Sequence, residues 1–351
     1  MSEIVINERV AARRISLALT QPLSFLPGDG TRRDLAIITI RDREGTPYHG
    51  EIAPLPGFSV ETVNDALSEL DSIAFAIPPL EELSLPLPRS WAIFLHAIHC
   101  PSLRCGIEGA ILDRLARSGG LHPLVKSPTV ACNGLIMIGH EQETLREIKG
   151  RLDRGFRTLK VKISPKTIEA TLRALRALNP PATIRLRLDA NRSFNVTEWT
   201  AIAPELAPFP IEYVEEPVSK SDEIPAIVAR GVLPIAIDET TRDTAPDEWL
   251  RWGLRAVVLK PSLNGGLLSL MPLISMIERH GAYVTLSSSF ESGVGLRSIT
   301  LLASLLERCG AIGVDTASLL SEDLTEPPFP PSTPIVATEE LFSMRYVGGK
   351  G

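Results

Sequence analysis

An α/β fold, built as a (β/α)8-type (TIM-like) barrel with an N-terminal α+β capping domain, is what this 351-residue sequence predicts. Three observations carry the prediction. From about residue 130, short runs rich in Val, Ile and Leu alternate with helical patterns, and eight such runs occur. Charged residues close successive runs at intervals of 27, 26, 23 and 22 residues, from Lys162 through Asp189, Glu215 and Asp238 to Lys260. The first third follows a different plan, an antiparallel meander and then helices.

In the first third, Ile15 to Leu19 alternates with small and polar residues, and Leu35 to Ile40 is an apolar β-branched run. Arg43-Glu44-Gly45-Thr46 separates that run from Gly50-Glu51-Ile52-Ala53, as a hairpin connection would. Ser59 is placed to cap a helix through Leu70. Pro101-Ser102 opens another helix, which runs to Arg117 and stops at Gly119-Gly120. Residues 1–125 therefore form the expected capping domain. The barrel is expected over 126–320, and the tail 321–351, with its proline-rich stretch from Glu326 to Pro331, is expected to pack back on the capping domain.

Barrel strands are expected at 131–137, 158–163, 184–189, 211–215, 233–238, 255–260, 282–288 and 311–315. Nearly uninterrupted apolar runs suit strands buried on both faces. Between the second and third lies a clear helical stripe of Ile168, Leu172, Leu175 and Leu178. Gly and Ser interrupt the seventh and eighth units.

Composition excludes several classes. With 36 Lys and Arg against 42 Asp and Glu, the net charge is −6; 44% of residues are hydrophobic and 22% charged. Such a chain is too apolar for disorder and too charged for a membrane protein. It has no electrostatic pull on nucleic acid or anionic lipid, so an anionic substrate needs a local cationic site. No apolar run approaches the roughly 18 residues of a membrane span, and Met1-Ser2-Glu3-Ile4 has no signal-peptide core. Cys100, Cys105, Cys132 and Cys309 form no CxxC pair, which points to reduced thiols and a cytoplasmic location. The six histidines carry no pattern, and the Gly265-Gly266 pair lacks a phosphate-binding motif.

The charges at the strand ends carry the chemistry. An Asp at one strand end often caps the next helix, and a lone Lys is usually a solvated charge. Five charges at successive strand ends, in the order Lys, Asp, Glu, Asp, Lys, mark the catalytic face of a barrel instead. Three carboxylates on adjacent strands repel one another unless a cation joins them. Oxygen-only ligands favour Mg2+. Lys160 and Lys162 are two apart and share a face, with Lys260 across from them. A metal-bound substrate carboxylate would then hold its α-carbon between two amines. Loss of the α-proton gives an enediolate whose second charge the metal can stabilise. A lysine acts as base only when neutral, a form that neighbouring positive charge favours. Alternation puts one of Glu215 and Glu216 inside the barrel and leaves open which.

Thr158-Leu159-Lys160-Val161-Lys162, Leu188-Asp189-Ala190-Asn191-Arg192, Val214-Glu215-Glu216-Pro217, Ile237-Asp238-Glu239 and Val258-Leu259-Lys260-Pro261 together resemble the enolase superfamily, in the order and spacing of its muconate-lactonizing subgroup. Use of a Lys or His base with Mg2+ is a general property of that superfamily. Within the subgroup, the segments Gly50 to Ser59 and Ser287 to Ser292 are most similar to the o-succinylbenzoate synthase branch. Pro101 to Arg104 and Gly313 to Thr316 agree with this.

The resemblance implies a Mg2+-dependent carbon–oxygen lyase, with Mn2+ as a substitute metal, acting on a small-molecule carboxylate. Asp189, Glu215 and Asp238 would hold the metal, the first Glu of the pair being the ligand. Lys162 would be the base and Lys260 the cation that stabilises the enediolate. Lys160, Ser287 and Gly313 would contact substrate, and Asn191 would support the ligands from behind. The loop from Pro54 to Ser59 would close over the mouth. An isomerase on the same scaffold, an N-acylamino acid racemase or dipeptide epimerase, is the alternative. A Schiff-base aldolase using Lys260 leaves the carboxylates unexplained, and intact acid–base residues argue against a non-catalytic scaffold. Neither nucleic acid nor membrane is expected as a partner, and no oligomeric state follows from the sequence.

Overall fold

The N-terminal sheet is a four-stranded antiparallel meander of β1 (Ile4–Val5), β2 (Val10–Ala18), β3 (Arg32–Arg41) and β4 (Pro47–Ile52), in that order. The computed structural model describes residues 4–136, 141–330 and 332–348. Both faces of the sheet are buried, which explains the unbroken apolar run in β3. Ala36, Ile38 and Ile40 face a core shared with helices α1 (Val63–Ile73), α2 (Arg89–His96) and α3 (Pro101–Arg117). Leu35 and Ile37 join Ile15, Leu17, Val294 and Leu324 on the other face. Helix α3 lies directly on β4: a Cβ on Gly50 would fall 1.8 Å from the Gly106 carbonyl oxygen. In the β3–β4 turn, Asp42 Oδ1 accepts from the Glu44 and Thr46 amides at 3.0 and 2.8 Å.

The first helix starts later than expected. Thr62, not Ser59, is its N-cap, because Thr62 and Asp65 form a reciprocal capping box. The Ser59 hydroxyl instead accepts from the Leu55 amide at 2.8 Å and folds the Pro54–Ser59 loop on itself.

Beyond α3 come β5 (Thr129–Ala131), β6 (Gly134–Ile136), α4 (Glu141–Asp153), β7 (Thr158–Lys162), α5 (Ile168–Leu178), β8 (Arg185–Asp189), α6 (Val196–Leu206), β9 (Ile211–Glu215) and α7 (Ile224–Arg230). Then follow β10 (Ile235–Ile237), α8 (Thr240–Asp243), α9 (Pro246–Trp249), β11 (Ala256–Leu259), α10 (Pro261–Asn264), α11 (Met271–Arg279), β12 (Tyr283–Leu286) and α12 (Gly293–Ser304). Strands β6 to β12 form one parallel sheet in sequential order, the curled sheet of a TIM-like barrel. The α5 stripe buries Ile168, Leu172 and Leu175 against it.

Two barrel units differ from expectation. The first strand divides, because β5 pairs antiparallel with the tail strand β14 (Ile335–Ala337), whereas β6 pairs with β7. Met137, expected to end this strand, lies outside the described residues. The eighth strand is reduced to isolated bridges, Cys132 to Ile312 on one side and Val284 to Cys309 and Ser287 to Gly313 on the other. The Ile312 amide donates to Ala131 O at 2.8 Å and the Gly313 amide to Leu286 O at 2.9 Å, which closes the ring. A 3-10 turn from Asp315 to Leu319 ends the extended run there.

The chain then touches both parts of the molecule. Leu320 bridges to Leu19 beside β2, and the Ser321 amide donates to Ala18 O at 3.0 Å. Strand β13 (Thr325–Glu326) pairs with β15 (Arg345–Tyr346), and α13 (Thr338–Ser343) lies between β14 and β15 in the chain. Among the described residues, no helix is long and apolar enough to cross a membrane.

Candidate active site

Parallel pairing sets equivalent residues of neighbouring strands side by side, so the strand-end charges converge. Lys162 is in register with Asp189, and Asp189 with Glu215. Asp238 follows β10 and Lys260 follows β11 by one residue each. Alternation turns all of them inward, since Val161, Leu188, Val214, Ile237 and Leu259 belong to the apolar layer under the helices. Beneath them, Lys160, Arg187 and Tyr213 form the next inward layer, with the Arg187 guanidinium 5.0 Å from the Tyr213 ring centre.

Lysines and carboxylates interlock. Lys160 Nζ lies 2.8 Å from both Glu215 oxygens and 2.8 Å from Asp189 Oδ2. Lys162 Nζ donates to Asp189 Oδ2 at 2.7 Å and to Asn191 Oδ1 at 2.6 Å. Lys260 donates to Asp238 Oδ2. Asn191 also reaches across β9 through Nδ2, 3.1 Å from Glu239 Oε1 just beyond β10. The carboxylates thus turn to ammonium groups, and among the described residues no three Asp, Glu, His or Cys side chains close into a ready ligand set. Like charges at one barrel mouth separate onto their nearest cations.

Glu216 is not part of this layer. Its backbone is left-handed (φ 44°), which carries the side chain behind the strand ends. There it accepts from the Asp238 and Thr240 amides at 2.8 and 2.7 Å, from Thr240 Oγ1 at 2.9 Å and from Arg192 Nε at 3.1 Å. Glu216 therefore holds the Asp238 loop in place, and Glu215 faces the lysines.

Burial works against every charge here, and the neighbours decide the outcome. For Asp189, Lys160 and Lys162 outweigh burial and hold the carboxyl well below its ordinary range. For Asp238, Lys260 does the same. Asp189 and Glu215 outweigh burial at Lys160 and raise its pKa well above that of an ordinary lysine. Glu215 bears the crowding: burial and the Asp189 charge push it up to about 8. Asp238 Oδ1 is buried without a hydrogen-bond partner, with Arg242 Nη1 3.6 Å away.

Above the layer lies a cavity of about 70 Å3. Lys160, Lys162, Lys260, Ser287 and Gly313 all line it, so the structure gathers these expected residues around one space. Asn191 reaches it only through Lys162. Gly313 is required by close approach, since a Cβ there would fall 2.6 Å from Ser287 Oγ. Sequence reasoning missed further lining residues: Asn133, Leu135, Ser288, Phe290, Asp315 and Thr316. Ser288, Phe290, Asp315 and Thr316 sit inside segments noted whole, and period-two counting back from the first strand would have found Leu135. Asp315 is already engaged, by the Leu135 amide at 2.8 Å and Arg151 Nη2 at 3.0 Å. A larger cleft, of about 570 Å3, lies against residues 317–329 and holds no comparable lysine–carboxylate layer.

Known proteins resemble this chain in sequence and in fold. Residues 143–341 match the family model described as Enolase C-terminal domain-like. The chain is 30% identical over 324 residues to the o-succinylbenzoate synthase of Vibrio cholerae serotype O1, covering 88% of this chain and 90% of that protein. It is 28% identical over 310 residues to Protein PHYLLO, chloroplastic, of Arabidopsis thaliana; the match covers 78% of this chain and only 18% of that much longer protein. The dipeptide epimerase of Enterococcus faecalis V583, solved with Mg and the dipeptide L-Leu-L-Tyr, superposes with a TM-score of 0.82 at 20% identity over 95% of this chain and 96% of its own, a likeness of fold. Since the family model spans more than half of the chain, including every strand end that carries a lysine or carboxylate of the layer, the chain belongs to the enolase superfamily.

Proposed function

We propose that the chain is a hydro-lyase, an o-succinylbenzoate synthase of menaquinone or phylloquinone biosynthesis. It would dehydrate 2-succinyl-6-hydroxy-2,4-cyclohexadiene-1-carboxylate to 2-succinylbenzoate in a syn sense. The observation that carries the reading is the placement of Lys162 and Lys260 around one cavity, from strands on either side of three carboxylate-bearing strand ends. Similarity to o-succinylbenzoate synthases over nearly the whole chain supports the choice of reaction.

Asp189, Glu215 and Asp238 would hold Mg2+, with Mn2+ as a substitute. The residues fit such an ion: the donors are all carboxylate oxygens, Asp238 Oδ1 is buried without a hydrogen-bond partner, and crowding pushes Glu215 up to about 8. A dianionic substrate brings two negative charges to the layer, which a divalent ion balances. When bound there, the ion would supply positive charge that stabilises negative charge developing on the substrate carboxylate.

The chain's own residues do the rest. Lys162, its side chain 30% exposed, is the group of the layer most open to a ligand, and it takes the α-proton. Asp189 and Asn191 aim its nitrogen. The same lysine returns the proton to the departing hydroxyl, which keeps both events on one face. Lys260 stays a cation and stabilises the developing charge, and Lys160 adds to the field from below. Ser287 and Gly313 shape the wall against the substrate. The Pro54–Ser59 loop and Phe290 exclude water. Formation of an aromatic ring drives the reaction, so only the barrier to proton removal needs lowering.

A second reading has support from the same geometry. Lysines on two sides of the cavity suit N-acylamino acid racemisation, one removing a proton and the other returning it. A dipeptide suits the cavity less, because its ammonium group needs a free carboxylate and Asp315 is held by Arg151. The test is turnover of the cyclohexadiene substrate, followed by ultraviolet absorbance with Mg2+ and then with excess chelator. Conversion that stops with chelator supports the lyase. A folded, Mg2+-binding protein that converts none of it refutes the lyase reading.

A further inference from the structure

Behind the Phe290 segment that lines the cavity sits a charged residue that the proposed chemistry leaves unused. Arg33 belongs to a strand of the capping sheet, yet its side chain is fully buried. A buried guanidinium must find partners for its five donors. Those of Arg33 are all main-chain carbonyls. Nη1 donates to Pro54 O at 2.8 Å and to Asp34 O at 2.7 Å, and Nη2 to Ala53 O at 2.9 Å. On the barrel side, Nη2 reaches Ser289 O at 3.2 Å and Nε reaches Phe290 O at 3.3 Å. Glu51 and Glu291 supply the opposing charge. Those two acids are themselves tied to that barrel loop, Glu51 by the Ser292 amide at 2.9 Å and Glu291 by the Ser289 amide.

Phe290 is the second observation. Its backbone is left-handed (φ 62°), a conformation that a bulky residue adopts only when its surroundings impose it. Its side chain lines the cavity beside Lys162 and Lys260. The ring packs on Phe25 with 5.3 Å between centres, and Phe25 meets Phe58 edge-on at 5.7 Å. The loop bearing Phe58 starts at the carbonyls that Arg33 grips.

We propose that Arg33 is a positioning residue: its guanidinium ties the carbonyls of Ala53 and Pro54 to those of Ser289 and Phe290, and so holds Phe290 against the substrate cavity. The inference rests on reading that cavity as the substrate site. Phe290 contacts bound substrate without touching the reacting atoms, so loosening it weakens ground-state and transition-state binding alike. Arg33→Met should raise KM about tenfold and leave kcat within about threefold. Phe290→Ala should do the same, and the double variant should be no worse than either single one.

The experiment pairs amide hydrogen exchange with steady-state kinetics on the full chain. Arg33→Met is expected to speed exchange at least about tenfold in both 53–58 and 289–292, with the strands from Thr158 to Leu259 unchanged. Unchanged exchange at 289–292, or additive KM effects of Arg33→Met and Phe290→Ala, would overturn the proposal. If Arg33→Met does not fold, Arg33→Lys takes its place, since it keeps the charge beside Glu51 and Glu291 but spans fewer carbonyls. Faster exchange in both segments is again the supporting result, and unchanged exchange the contrary one. A wild-type protein with no dehydratase activity refutes the functional reading, while the exchange data still decide the role of Arg33.

Discussion

The inner wall of the cavity and its rim are built in different ways. The wall is a set of strand-end residues, Lys162, Asp189, Glu215, Asp238 and Lys260, brought together by the register of neighbouring parallel strands. The rim joins distant parts of the chain: Arg33 grips Ala53 20 residues away and Phe290 257 residues away. A wall made by repetition keeps its chemistry while loops vary. A rim made by long-range contacts ties the capping sheet to what the cavity will accept. The difference teaches that changes to the wall should act on kcat and changes to the rim on KM.

The largest effect should come from the wall. Lys162→Ala should lower kcat by about a thousandfold or more, as expected for loss of a general base. The fold should survive, because Lys160 still holds Asp189 Oδ2 at 2.8 Å. Kinetics beside a thermal melt would check both halves, and near-normal turnover would remove Lys162 from its role.

Next comes the pH dependence of the capping sheet. Burial, ahead of the Asp113 attraction, pushes the His49 imidazole down to about 4 from an ordinary 6.5. The unfolded chain therefore binds this proton first as pH falls. The contribution to stability is complete above about pH 6.5 and is lost as pH drops to about 4, on the order of 3 kcal/mol. His49→Gln should flatten denaturant midpoints across that window. An unchanged slope would mean that other groups govern acid unfolding.

Gly313→Ala tests where wall meets rim. The added methyl, 2.6 Å from Ser287 Oγ, should push Ser287 into the cavity and raise KM roughly tenfold, with a smaller change in kcat. A fall in kcat alone would place Gly313 with the chemistry instead. The smallest effect concerns a helix cap. Thr62→Ala should cost about 1 kcal/mol through loss of the α1 cap, whereas Ser59→Ala should leave that helix intact. Urea denaturation of the two variants separates them, and equal losses would contradict the assignment of the cap.

Legibility follows the same division. The wall could be read because each charge closes an apolar run, and the runs recur. Glu215 and Glu216 could not be told apart by residue pattern, because the left-handed turn at Glu216 depends on donors from Asp238, Thr240 and Arg192, all brought in by folding. An eighth strand is expected at 311–315, but only isolated bridges form there, at Ile312 and Gly313, before the 3-10 turn at Asp315. Ser59 resembled a cap, and the reciprocal Thr62–Asp65 pair prevailed. Arg33 stands in Arg32-Arg33-Asp34, where both neighbours are exposed, and nothing local distinguishes it. Its burial is decided by carbonyls from two remote loops.

The central claim is that this wall removes an α-proton in order to expel a hydroxyl. The most direct test offers the protein both the cyclohexadiene substrate and an N-succinylamino acid in D2O with Mg2+, followed by proton NMR. The account predicts conversion to 2-succinylbenzoate that disappears in Lys162→Ala. Deuterium entering the amino acid α-position, with the cyclohexadiene left intact, would contradict it.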